Sequence, residues 1–182
     1  MKNVLIVVTA FAGLWCSKLI AQPNETIGKE KLQPFAAWVG RWQGEGSMQM
    51  GPGEPKKSMV DETVESKLGG TLLLVEGIGK SINPATKEET IAHHALGVLS
   101  YDHTTSQYKF RSYLKDGRST DAWLKPVGEN KFQWGFDIPS GGKTRYTILL
   151  DPKAGTWNEI GEYSKDGNTW SKFFEMNLKK VG

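Results

Sequence analysis

The sequence predicts an all-β protein, an antiparallel up-and-down barrel of about ten strands behind one short helix. Three observations predict it. Apolar and polar residues alternate through most of the chain, as on strands with one dry face and one wet face. The alternating segments are joined by short, evenly spaced turns rich in Gly, Asp, Asn and Pro. No segment between them is long enough for a crossover helix, so successive strands must pair as hairpins. A meander this long hides its edges best by closing on itself.

The elements follow in order. Residues 28–40, GKEKLQPFAAWVG, place Leu32, Phe35, Ala36 and Val39 at helical spacing around Pro34. The first strand opens with Trp42 and continues through Gly44, Gly46, Met48 and Met50 on one face. Two glycines on a dry face pack nothing, so they either leave internal space or let the strand bend. In the second strand, residues 58–68, Val60, Glu62, Val64, Ser66 and Leu68 share a face, and Gly69-Gly70 turns the chain. TLLLVEGIGKSI and TIAHHALGVLSY form strands three and four, closed by the turns NPATKEE and DHTTS. QYKFRSYL, STDAWLKPV and KFQWGFDI follow, with KDGR, GEN and PSGG as their turns. KTRYTILL, TWNEIGEY and TWSKFFEMNL complete the set across DPKAG and SKDGN. No linker or second domain interrupts residues 28–182.

The first 21 residues read differently. Lys2 precedes an apolar run from Val4 to Cys16, and Ala21 suits the position before a cleavage point. The run is too short to span a bilayer and fits a secretory signal peptide over residues 1–21, with the mature chain starting at Gln22. A retained anchor is the alternative; a lipid-modified Cys16 is disfavoured by the bulky Trp15 before it. Cys16 is the single cysteine, so the mature chain has no disulfide and no thiol chemistry. The expectation is a secreted or periplasmic protein with no stable membrane span after cleavage. Asn24 starts a glycosylation sequon, meaningful only in a eukaryotic host.

Composition excludes some functions. Net charge is +3 with both signs interspersed, unlike a nucleic-acid footprint, so no nucleic-acid partner is expected. No nucleophile elbow, phosphate loop or paired metal motif occurs. No metal, cofactor or catalytic residue is therefore assigned. A barrel of eight to ten strands has an interior that side chains alone do not always fill, and a small apolar or amphipathic molecule is the partner such an interior suits.

The candidate ligand-binding residues are Met48, Glu62, His94, Trp134, Tyr146, Glu159 and Lys172. Met48 offers an adaptable thioether, and Trp134 and Tyr146 an aromatic wall. Glu62, Glu159 and Lys172 share faces with apolar residues, and a buried charge must pair or bind something. An ion pair between Glu159 and Lys172 is the structural alternative. Adjacent His93 and His94 face opposite ways on a strand and cannot chelate one metal together. Leu96 and Val98 argue for His94 on the inner face; Ala95, Gly97 and Leu99 argue equally for His93. His103 lies in a turn.

The short helix, Gly40-x-Trp42 and the meander resemble the calycin superfamily of lipocalins and fatty-acid-binding proteins. That resemblance implies that Trp42 plugs one barrel end, with a basic residue packed over it, Lys172 or Arg145. LQPFAAWVGRWQGEG, LGGTLLLVEG, GVLSYDHTTSQYKFRSY and WNEIGEYSKDGNTWSKFFEM resemble, more closely, a family of secreted bacterial domains of unknown function. These are turn and barrel-closure signatures, specific for fold and silent on chemistry. That family is similar to nitrobindins, ten-stranded barrels whose haem iron is held by one histidine near the C-terminus. Here no histidine follows His103, so the implied ligand is missing. The resulting expectation is a non-catalytic binding barrel. The alternatives are a small isomerase or hydrolase using an interior Glu or His, and a solid barrel acting through protein contacts.

Overall fold

The computed structural model describes residues 23–83 and 85–182, with the side chains of 23–25 left aside. The signal peptide expected over residues 1–21 lies outside the described residues. Ten antiparallel strands close into one barrel, each paired with its neighbours in sequence, and the first pairs with the last. They are β1 (Gly40–Met48), β2 (Lys56–Lys67), β3 (Leu72–Ile82), β4 (Glu89–Asp102), β5 (Gln107–Leu114), β6 (Ser119–Gly128), β7 (Lys131–Gly135), β8 (Lys143–Asp151), β9 (Thr156–Ser164) and β10 (Ser171–Lys180). Helix α1 (Pro23–Leu32) precedes them.

The helical segment divides where its sequence demands. Pro34 lacks an amide hydrogen and cannot continue an α-helical ladder. The chain tightens there into a 3-10 helix, Gln33–Trp38. Its period of three puts Leu32, Phe35 and Trp38 in one buried row. That row caps one barrel end. Phe35 and Trp38 pack edge-on, with centroids 5.2 Å apart, and both meet Phe132 of β7. Trp157 of β9 lies against Trp38 and Trp42 at 5.0 and 5.6 Å. Trp42 is fully buried there and its indole donates to the Trp38 carbonyl at 2.7 Å. One further anchor is the Tyr108 hydroxyl, which donates to the Lys31 carbonyl at 2.8 Å.

The basic residue over Trp42 is not one of those anticipated. The Lys180 ammonium, two residues from the chain end, stands 5.2 Å from the Trp42 ring centroid. Arg145 lies instead 4.1 Å over Trp170 and donates twice to Glu162, at 3.0 and 2.8 Å. Gly40 explains why a glycine precedes this tryptophan. Its φ is +133°, and a Cβ there would lie 2.7 Å from the Lys180 stem and 2.8 Å from the Gly182 carbonyl.

The turns work through their aspartates. Asp102 accepts from the Thr104 amide, Asp116 from Arg118, Asp151 from Lys153 and Ala154, and Asp166 from Asn168 and Thr169, all at 2.8–3.1 Å. Each side chain thus satisfies amides that the hairpin leaves free. The amides of Thr169 and Asn168 and the Ser164 hydroxyl all donate to Asp166, and these bonds hold its carboxyl down to about 2.

Candidate functional site

The aromatic cluster fills only one end of the barrel. The other end holds a cavity of about 840 Å³, bordered by the segment after β1 and by Ser81 of β3 and His93 of β4. This lies within the range of small-molecule sites. Its two sides differ. The wall from β3 to β6 is built of small residues: Gly77, Gly79, Ala95, Gly97, Ser112 and Ala122. Phe110 of β5 lies over Gly97 in that wall, and Trp134, Phe136, Tyr146 and Phe174 supply the rest of the aromatic lining. Trp134 and Tyr146 stack face to face, 3.9 Å between centroids and 5° apart in plane, with Phe110 edge-on to Trp134 at 5.4 Å.

The space does not come from the glycines of β1. A Cβ at Gly44 would run into the Asn177 carbonyl oxygen of β10, so that glycine permits close strand approach. At Gly46 a Cβ would press on Val60 and Ser58, at 3.1 and 3.3 Å. Gly77-x-Gly79 on β3 and Ala95-x-Gly97 on β4, small residues on alternate positions, line one face of the hollow; a Cβ at Gly77 would meet Glu62 and one at Gly97 the Phe110 ring, each at 2.6 Å, so those two glycines seat side chains that line it. That pattern stands in the sequence and went unused in assigning the site.

Two carboxyls lie deep in the cavity. Glu159 on β9 is 6% exposed and accepts from the Trp134 indole at 2.8 Å and from the Trp157 indole at 3.4 Å. Burial raises it to about 7, against those two donors, which favour the charged form. Glu62 on β2 lies across Gly77, where a Cβ would fall 2.6 Å from its Oε2. It has no hydrogen-bond or ion-pair partner among the described residues, and the surface it retains lines the cavity. Burial, and secondarily the charge of Glu159, raises it to about 8. Tyr146 is pushed upward by the same two causes. At neutral pH the two acids thus share fewer than two negative charges.

Met48, Glu62, Trp134, Tyr146 and Glu159 all line the cavity, Met48 at its mouth beside Met50, which is 80% exposed. Two other anticipated residues do not. His94 faces outward and bonds Glu76 at 2.8 Å; His93 is the cavity residue. The inner face of β4 carries Ala95, Gly97 and Leu99, so His93 shares their phase. It stands exposed at the mouth, its pKa lowered by partial burial and then by neighbouring His94. Lys172 is also displaced. A bulge between Lys172 and Phe174 inserts Phe173, which reverses the alternation expected from Phe174 and Met176. Lys172 therefore lies outside, 2.8 Å from Glu175, bordering a second groove of about 500 Å³ that shares Met48, Phe136 and Tyr146 with the mouth. It makes no pair with Glu159.

Among the described residues no group of three or more His, Cys, Asp or Glu side chains is placed to hold a metal ion. No helix among them is long and apolar enough to cross a membrane. No protein-family model and no curated protein matches the chain. The barrel is similar to the crystal structure of Rv2717c from M. tuberculosis, with a TM-score of 0.58 and 11% identity, over 83% of this chain and 97% of that one. At that identity the likeness shows a shared fold and nothing of ligand or activity. The haem implied by the resemblance to nitrobindins would need a histidine near the C-terminus, and none follows His103; the cavity's His93 belongs to β4, at the mouth. Strands β8, β9 and β10 face the cavity with Tyr146, Glu159, Phe174 and Met176. These residues do not fit a histidine-held haem.

Proposed function

We propose that this protein is a non-catalytic binding barrel for a small, mostly apolar molecule with one polar group. The observation that carries the reading is the unpartnered Glu62 carboxyl on the wall of a deep, aromatic-sided cavity open to solvent. An internal acid costs free energy unless something bonds to it, and the open mouth admits the molecule that would. The aromatic wall supplies apolar area, and the two carboxyls orient the polar end. We also propose the finer family assignment, a secreted bacterial barrel of calycin type. Its support is the Gly40-x-Trp42 start, the closed meander and the signal-like first 21 residues.

Protein purified from its native host tests both statements. Organic extraction and mass spectrometry should recover one apolar or amphipathic compound in near-stoichiometric amount, and N-terminal sequencing should begin at Gln22. Preparations without such a compound, and with a melting temperature unmoved by fatty acids, retinoids, isoprenoids, amines or haem, would favour a barrel acting through its surface. A start at Met1 or a lipid-modified Cys16 would refute the location. A second reading, an isomerase or hydrolase, draws on the same pair of acids. Raised carboxyls near 7 and 8 lie where general acid–base catalysis works at neutral pH. Turnover of the recovered compound, stopped by Glu62→Gln, would favour it.

A further inference from the structure

We propose that the compound held in this cavity is a lipophilic amine, bound as its ammonium ion between Glu62 and Glu159. This rests on the binding-barrel reading and names the ligand class within it. The charges lining the cavity are unequal in depth. Its basic side chains, Lys56 and Lys57, belong to the start of β2 and stand exposed at the mouth, as does His93. The ionisable groups deeper in, Glu62, Glu159 and Tyr146, are neutral when protonated and anionic when deprotonated, and none can become a cation. A fatty acid seated head-inward would bring its carboxylate to two acids with no cation beside it. A head-outward pose would leave Glu62 unpartnered.

An ammonium group answers every feature of the floor. It carries three N–H donors and a full charge. Glu62 has a free carboxyl, while Glu159 has one oxygen held strongly by Trp134 and the other held at 3.4 Å by Trp157. Trp134 and Tyr146, stacked face to face, with Phe110 edge-on to Trp134, give the alkyl part of the amine an apolar wall beside the carboxyls. A neutral alcohol would supply one hydrogen bond and no charge to stabilise the ionised carboxyls. Only a cation converts the proximity of two acids from a cost into an attraction.

Proton balance follows. An alkylamine arrives already protonated at neutral pH. Pairing stabilises the carboxylate form, so the proton carried by Glu62 leaves to solvent as the ammonium enters. Lys56, Lys57, Glu54 and His93 at the mouth face solvent and are common to any ligand that passes them.

Decylamine, decanol and decanoate, titrated calorimetrically into the full mature chain at pH 7 in two buffers of different ionisation enthalpy, test this. Decylamine should bind at least tenfold more tightly than decanol, decanoate more weakly than either, and decylamine alone should release close to one proton. Glu62→Gln should bring decylamine to the level of decanol. Decanol or decanoate binding as tightly as decylamine, or amine binding without proton release, would overturn the inference and leave the binding barrel standing. Failure of all three to bind would count against the barrel reading itself. Should Glu62→Gln fail to fold, proton release by the wild type decides alone.

Discussion

Trp42→Ala should destabilise the barrel by about 3–5 kcal/mol, read as a lowered midpoint of denaturant unfolding with an unchanged slope. Trp42 is fully buried at the closed end. Alanine there removes the ring against Trp157, strips the Lys180 ammonium of its aromatic face and leaves the Trp38 carbonyl without its indole donor. The backbone at this position is ordinary strand, so the loss is one of packing and hydrogen bonding. Trp123 is the control. It is 42% exposed on β6, and Trp123→Ala should cost about 1 kcal/mol or less. Equal midpoints for wild type and the Trp42 variant would contradict the closed-end assignment.

The second large effect concerns pH. A carboxyl whose folded pKa is raised binds its proton more tightly in the native state than in the unfolded chain. Its contribution is fully present below the ordinary value of 4.5 and is lost as pH rises through the folded value. For Glu62 that window runs from 4.5 to about 8, and for Glu159 from 4.5 to about 7. Wild-type stability should therefore fall between pH 5 and pH 8. One pKa unit corresponds to about 1.4 kcal/mol; allowing for water in the open cavity, Glu62 accounts for a loss of about 2–4 kcal/mol. Glu62→Gln keeps the shape and cannot ionise. It should match the wild type near pH 5 and exceed it by that amount at pH 8. His93, with its lowered pKa, works in the opposite sense at the acid end of this range, and its contribution cancels in the comparison. Parallel pH profiles for the two proteins would show that Glu62 ionises freely.

Much of the fold was legible because alternation and turn chemistry are local. Each Asp-containing turn was written in four or five residues, and the aspartates bond their own loop amides. The site was legible only where alternation ran unbroken. Glu62, Trp134, Tyr146 and Glu159 follow their strands' inner phase and line the cavity. Lys172 failed because a one-residue bulge reverses the phase, and nothing in TWSKFFEM marks where the extra residue falls. His94 failed because β4 is flanked by apolar residues on both phases, so hydrophobicity alone could not choose. The residue over Trp42 was misplaced because Lys180 follows the last alternating residue, where pattern ends but strand pairing with Trp42 continues. Gly44 misled for another reason. A missing side chain reads the same in sequence whether it makes room for a ligand or for the backbone of the next strand.

The central claim is that the barrel interior is a binding space. Fluorescence titration of the neutral apolar probe N-phenyl-1-naphthylamine into wild type and Ala95→Phe tests it most directly. Ala95 lines the cavity and is not part of the buried cluster at the closed end, so phenylalanine there should take up space in the hollow. The account predicts saturable one-to-one binding to the wild type, with a blue-shifted emission, and its loss in Ala95→Phe at an undiminished melting temperature. Equal binding by both proteins, or none by either, would contradict it.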